Sequence, residues 1–161
     1  MKYLLAIILI FSIKSYAYDL SVKYGLGVGM PNQTDDSEAK LVSVELQNDL
    51  GRVFKHKIGI GAWFDPKPEL NRAGASFMTY AVGLKVQPGD IYIENFFGFG
   101  WISQTDSMLS TSFEFTEELG IGTSDKYGRF IGIQLKHFSN AGIQIPNKGR
   151  NFILINAGVE L

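Results

Sequence analysis

Apolar and polar residues alternate along almost the whole chain after residue 17. The segment DLSVKYGLGVGM, residues 19–30, places an apolar side chain at every second position, from Leu20 to Met30. The intervening positions hold Ser, Lys and three Gly. Because successive side chains of a β-strand point to opposite faces, this period of two predicts a strand with one apolar face and one polar or small face.

The same alternation recurs and predicts eight strands in total. Their approximate ranges are 19–30, 40–48, 54–64, 75–87, 90–102, 110–123, 128–139 and 150–161. The last of these keeps Ile153, Ile155, Ala157 and Val159 on one face, opposite Asn156, Gly158 and Glu160. The repeated period of two therefore predicts an all-β protein.

The connections between these strands alternate in length. The long ones read PNQTDDSE, DPKPELNRAG, SQTDSML and NAGIQIPNKG, and the short ones read NDLGR, QPGD and TSDKYG. Long loops at one end and tight turns at the other are typical of outer-membrane barrels with both termini in the periplasm. Strands of about 9–11 residues are long enough to cross a bilayer. We therefore predict an eight-stranded antiparallel transmembrane β-barrel, with an exported soluble β-sandwich as the alternative.

The composition agrees with a barrel. The chain has no cysteine, and a closed barrel needs no disulfide because closure removes the sheet edges. Small residues predicted to face inward suit a narrow interior; they are Gly59, Gly61, Gly83, Gly98, Gly100 and Gly132. Glu117 departs from the pattern, since alternation from Phe113 and Phe115 places it on the lipid face. A β-bulge near Thr116 would turn it inward.

The N-terminal segment MKYLLAIILIFSIKSYA has the features of a secretory signal peptide. A lysine precedes an apolar stretch, and a small-x-small sequence ends it at Ala17. We therefore expect residues 1–17 to be removed and residues 18–161 to form the barrel. Without Lys2 and Lys14, 13 basic residues face 16 acidic ones, and the net charge of 13 − 16 = −3 argues against nucleic-acid binding.

Three polar residues share the predicted lipid-facing side near the outer rim. His137 and Ser139 continue the outward parity of Leu135, and Asn151 has the parity of Ile153 on the neighbouring strand. A hydroxyl beside an imidazole, with a third polar group to orient the ring, is a nucleophile arrangement whose natural substrate here is a lipid. The alternative is that these residues belong to the ordinary polar rim of a barrel.

The segment HFSNAGIQIPNKGRN, residues 137–151, resembles the active-site segment of the PagL-type lipid A 3-O-deacylases. The pattern of that family is His-x-Ser-Asn followed by Pro-Asn-x-Gly and then an acidic residue. The resemblance implies that Ser139 is the nucleophile and His137 the general base. It also places Asn140, through its backbone N–H, together with Asn147 and Gly142 around the oxyanion or substrate.

Position 151 departs from the family pattern, because the chain has Asn where the acidic residue stands. An amide oxygen can accept the imidazole N–H and fix its tautomer, but it brings no negative charge to stabilise an imidazolium. Asn151 is therefore expected to act as the third member of the site by orienting the ring, either in a slower enzyme or in one that uses another carboxylate for the charge.

The resemblance implies an enzyme that hydrolyses the ester-linked 3-O-acyl chain of lipid A in the lipopolysaccharide of the outer membrane. No metal and no cofactor are expected. The sequence does not specify an oligomeric state, and a homodimer is one alternative. The competing function is that of a non-catalytic small barrel with a structural or adhesion role.

Charged and aromatic residues near the predicted outer rim complete the candidates. Trp63 and Trp101 are predicted to belong to an interfacial aromatic belt. Basic residues that could meet lipid phosphates, or form ordinary charged loops, are Lys67, Arg72, Lys148 and Arg150. The acidic residues Asp35, Asp36 and Glu38 are expected to form a solvated loop in preference to a divalent-cation site.

Overall fold

The computed structural model describes residues 18–29, 38–65 and 74–161. It contains eight strands: β1 (Tyr18–Gly27), β2 (Lys40–Asp49), β3 (Phe54–Phe64), β4 (Ala75–Val86), β5 (Ile91–Ile102), β6 (Phe113–Ser124), β7 (Arg129–Ser139) and β8 (Arg150–Glu160). The predicted signal peptide, residues 1–17, lies outside the described residues and stays a prediction. Asp35, Asp36, Lys67 and Arg72 also lie outside them.

The eight strands form one closed antiparallel barrel, which confirms the predicted fold. Each strand pairs with the next along the chain, and β1 closes the barrel by pairing with β8. A sandwich of two sheets is excluded because no open edge separates the described strands. None of the described residues forms a helix long and apolar enough to cross a membrane.

The two faces of the barrel differ as the alternation predicts. Outward side chains are apolar and exposed, as at Val22 and Ile133. Inward side chains include many buried polar and charged groups, as at Lys23 and Gln134. An apolar exterior with a polar interior is the arrangement that lipid requires of a small barrel, since hydrocarbon solvates the outer face and the interior satisfies its own polar groups.

A cluster of paired charges fills the middle of the interior. Lys136 contacts Glu45 at 2.9 Å and Glu118 at 3.0 Å, and Lys23 contacts the same two carboxylates at 2.5 and 3.3 Å. Lys57 also bonds to Glu118. Buried charges are tolerated only when paired and hydrogen-bonded, so this cluster ties β1, β2, β3, β6 and β7 together around a rigid centre.

Inward glycines make room inside this narrow cylinder. A Cβ on Gly83 would come within 2.1 Å of a backbone oxygen of β5, and one on Gly98 within 2.1 Å of a backbone oxygen of β4. A Cβ on Gly132 would come within 2.3 Å of the Tyr92 hydroxyl. The glycines therefore permit close approach of backbone and large inward side chains, as expected for an eight-stranded interior.

An apolar layer lies above the charged cluster, at the outer end of the barrel. Trp63 is 1% exposed and packs against Phe77 and Phe138, with ring centroids 5.6 and 5.3 Å apart. The predicted interfacial position of Trp63 is therefore wrong, because alternation from the outward Ile60 turns position 63 inward. Trp101 is 55% exposed on the outer face, as predicted.

Candidate active site

Three residues form one transverse row on the lipid-facing surface near the outer end of β7. His137 is paired in register with Asn151 of β8 on one side and with Glu117 of β6 on the other. The ladder between β5 and β6 is regular through Thr116 and Glu117, so the β-bulge considered near Thr116 does not form. Glu117 is exposed and faces outward beside the imidazole. The outward position that strand alternation predicts for Glu117 is therefore confirmed.

Asn151 holds the imidazole of His137 directly. Its Oδ1 lies 2.7 Å from Nδ1 of His137, and the amide is only 4% exposed. Because an amide oxygen can only accept, Nδ1 carries the proton and Nε2 is left with its lone pair. The orienting contact predicted for Asn151 is therefore present, with Nε2 as the ring nitrogen that can accept a proton.

Gly149 lies close to the Cε1 and Nε2 atoms of the imidazole. Its φ is +71°, a left-handed conformation that favours glycine. A Cβ added there would lie 2.7 Å from Cε1 of His137, 3.5 Å from Nε2 and 3.2 Å from the carbonyl oxygen of Phe138. Both the backbone conformation and the close approach to the ring therefore require glycine at this position.

Ser139 is the last residue of β7 and shares the outward parity of His137. It is half-buried and pairs in register with Phe115 of β6. Two residues of a strand span roughly 6.5 Å, and within the described residues no hydrogen bond joins Ser139 to His137. Catalytic hydrogen bonds are often long without substrate and tighten when it binds. Ser139 and His137 therefore share one face of the barrel without a direct hydrogen bond. Nε2 is the imidazole nitrogen that can accept a proton.

Asn140 organises the loop that follows Ser139, residues 140–149. It is fully buried, and its side chain donates to the Ser110 hydroxyl at 3.1 Å and to the Gln144 carbonyl oxygen at 2.9 Å. Its backbone N–H donates to Oδ1 of Asn147 at 3.1 Å, and its own Oδ1 accepts the N–H of Gly142 at 2.9 Å. Asn140, Asn147 and Gly142, the three residues expected around the oxyanion, are therefore hydrogen-bonded to one another. The backbone N–H groups of Asn140 and Gly142 both donate within this loop.

The preceding outer loop, residues 103–112, braces the loop 140–149. Lys148 donates its backbone N–H to the carbonyl oxygen of Met108 at 3.0 Å, and Leu109 forms an isolated β-bridge with Asn147. Ser110, predicted as the first residue of the sixth strand, instead lies in this loop and donates its hydroxyl to the Gln144 carbonyl oxygen. Sequence analysis missed these supporting residues, because nothing in the local pattern relates the two loops.

Arg150 anchors the first turn of β8, next to Asn151. Its guanidinium is completely buried and bonds to Asp65 at 2.9 Å and to Asp106. It also lies over the ring of Trp63, 5.6 Å from the centroid. The prediction that Arg150 binds lipid phosphates is therefore wrong, because its guanidinium is buried and forms ion pairs with Asp65 and Asp106. Lys148 is exposed in the outer loop and keeps that prediction open.

A groove with a volume of about 440 Å³ runs along the outer surface beside His137. Its wall is formed by Val28, Glu117, Leu119, Leu135, His137 and Asn151, together with part of Lys136. Leu119 and Leu135 supply apolar surface below the polar row. The groove therefore offers an apolar channel ending at an imidazole, which fits a hydrocarbon chain whose polar end reaches the His137 row.

Comparisons with known proteins agree on one family. A family model described as lipid A 3-O-deacylase (PagL) matches residues 50–160. A curated relative, lipid A deacylase PagL of Bordetella bronchiseptica, is 30% identical, and the match covers 68% of this chain and 71% of the relative.

Solved structures support the fold. The crystal structure of the outer-membrane enzyme PagL superposes with a TM-score of 0.70 at 21% identity, covering 89% of this chain and 99% of that one. The attachment invasion locus protein Ail of Yersinia pestis has a TM-score of 0.61 at 7% identity, covering 92% and 100%. At these identities, the likeness to both structures concerns the barrel alone.

Proposed function

Because the chain belongs to the lipid A 3-O-deacylase (PagL) family, we propose that it removes the ester-linked 3-O-acyl chain of lipid A. The barrel is that of an outer-membrane protein of Gram-negative bacteria, so the outward row of residues meets lipid directly. The observation that carries the proposal is the 2.7 Å contact between His137 and Asn151 on the lipid-facing surface, with Ser139 on the same face.

Ester hydrolysis proceeds in two steps. The Ser139 hydroxyl oxygen attacks the ester carbonyl carbon while Nε2 of His137 accepts its proton. The tetrahedral intermediate collapses as the bond to the sugar 3-oxygen breaks, and His137 returns the proton to that oxygen. Water then attacks the acyl-serine, again with His137 as base, and releases the free fatty acid with Ser139 regenerated.

The fixed geometry of His137 supports this cycle. Asn151 accepts the hydrogen bond from Nδ1, and the backbone of Gly149 lies close to Cε1 and Nε2 of the ring. With Nδ1 held in this way, the imidazole keeps one tautomer and presents Nε2 throughout. The two buried ion pairs of Arg150, with Asp65 and with Asp106, hold the start of β8 in place. Asn151 is the next residue of that strand.

The location of the groove fits the substrate. A 3-O-acyl chain of lipid A already lies in the outer leaflet, so the groove along Leu119 and Leu135 can take it from the side without removing it from the membrane. The ester would then lie at the level of His137 and Ser139, near the headgroups. Lys148, exposed in the adjacent loop, is free to approach the anionic headgroup.

The proposal is tested by mass spectrometry of lipid A from Gram-negative cells with and without the protein. We expect the loss of one ester-linked acyl chain from the 3-position, and purified barrel mixed with lipid A should release the matching fatty acid. A non-catalytic structural or adhesion barrel would leave the lipid A mass unchanged in both assays. The homodimer stays a prediction, which cross-linking in membranes would check.

A further inference from the structure

Glu117 is an acidic residue on a surface that otherwise faces hydrocarbon. It is exposed on the outer face of β6, between the apolar positions Phe115 and Leu119. Within the part of the chain that the structure describes, no hydrogen bond or ion pair holds its carboxylate. Acidic side chains on the lipid face of a barrel are destabilising to a degree that depends on depth. Because this costly carboxylate has no structural partner among the described residues, a chemical role at the neighbouring imidazole would account for it.

The register places this carboxylate beside the imidazole. Glu117 and His137 are directly opposed on β6 and β7, and such neighbours have Cβ atoms about 4.5–5.5 Å apart. Both residues line the groove that we assign to the acyl chain. The two side chains therefore share one pocket, and the pocket is partly shielded from water by apolar walls.

The other groups around His137 supply no negative charge. From β8 the ring meets Asn151, a neutral amide, and the loop contributes Gly149. The cations nearby in sequence are Lys136 and Arg150, which are buried inside the barrel, and Lys148, which is exposed in the loop. Among the described residues, Glu117 is thus the acidic group that faces the imidazole on the outer surface.

We propose that Glu117 is a positioning residue that acts through His137, stabilising the imidazolium formed when His137 takes the proton of Ser139. This inference rests on the proposed function. In a serine–histidine site the third member both orients the ring and stabilises its positive charge. Here the two tasks are divided between strands, with Asn151 of β8 fixing the ring through Nδ1 and Glu117 of β6 supplying the charge.

This division of roles between Asn151 and Glu117 predicts how much the rate falls when the carboxylate is removed. Two opposite charges separated by one cross-strand spacing in a partly shielded groove interact strongly enough to change the rate on the order of 10-fold. The Glu117→Gln variant should therefore be slower than the parent.

The experiment compares purified, refolded barrels carrying Glu117→Gln, Glu117→Asp or Glu160→Gln with the parent. Glu160 is exposed at the periplasmic end of β8, and its substitution removes the same charge far from the site. The steady-state rate of fatty-acid release from lipid A is measured for each variant. Heat-modifiable gel mobility confirms that each variant is folded.

We expect Glu117→Gln to lower kcat about 10-fold. Glu117→Asp should restore most of the rate, and Glu160→Gln should match the parent. Adding Asn151→Asp to Glu117→Gln should recover the rate, because the charge then reaches the ring from β8.

Each failure is distinguishable. If the parent is active and Glu117→Gln keeps its kcat, the inference is overturned and the proposed function stands. If the folded parent releases no fatty acid from lipid A, the proposed function is overturned, and the inference that rests on it is overturned as well.

Discussion

Replacement of Gly149 by Ala tests whether the loop backbone fixes the imidazole of His137. In the structure the added methyl group would lie 2.7 Å from Cε1 of His137, whereas carbon atoms in contact prefer about 3.5–4.0 Å. The ring must therefore move by on the order of 1 Å. A movement of that size is enough to break its 2.7 Å hydrogen bond to Asn151.

The magnitude follows from this displacement. A misplacement of about 1 Å in a catalytic group can lower the rate about 10²-fold, equal to about 2.7 kcal/mol of barrier. The left-handed backbone at φ +71° adds a stability cost of roughly 1–2 kcal/mol when the residue is not glycine. We thus expect a folded barrel that is slightly less stable and much slower.

Gly89→Ala is the matched control. Gly89 has φ +70° in the periplasmic turn between β4 and β5, and a Cβ there meets nothing within 4 Å. It therefore carries the same backbone strain without a collision. Initial rates of fatty-acid release from lipid A, measured beside denaturant unfolding, separate the two effects. Equal rates for Gly149→Ala and Gly89→Ala would refute the argument that Gly149 positions the ring.

Two further predictions concern orientation and stability. Asn151→Ala should lower kcat by up to about 10⁴-fold, whereas the isosteric Asn151→Asp should preserve or raise it. Steady-state rates check this, and equal rates for the Ala variant and the parent would contradict it. Arg150→Met should lower the free energy of unfolding of the barrel by about 3–5 kcal/mol, because it removes the buried ion pairs with Asp65 and Asp106. Denaturant unfolding measures this, and an unchanged midpoint would argue against a stabilising role of Arg150.

The barrel could be predicted from the sequence because strand alternation and loop length are local signals. The same parity rule places His137, Ser139 and Asn151 on one face, and the strand register confirms that His137 lies beside Asn151. One expectation that departs from this rule is wrong: the preference of tryptophan for the membrane interface places Trp63 outside, and the structure places it inside. The β-bulge that would turn the Glu117 carboxylate away from lipid does not form.

The support of the site could not be predicted in the same way. The hydrogen bonds of Asn140 reach a loop 30 residues earlier in the chain, and Arg150 reaches Asp65 and Asp106 across the barrel end. Such contacts depend on how loops fold against one another, which periodicity does not encode. The roles of Asn140, Asn147 and Gly142 at the oxyanion stay predictions.

The central claim is that Ser139 is the nucleophile of a lipid A 3-O-deacylase. The direct measurement is the mass of lipid A from cells that express the parent or Ser139→Ala, with heat-modifiable mobility showing equal amounts of folded barrel. One rim hydroxyl contributes little to a structure held by closed strand pairing, so the variant should fold. The account predicts loss of the 3-O-acyl chain with the parent and intact lipid A with Ser139→Ala. Lipid A that is deacylated equally by both would contradict it.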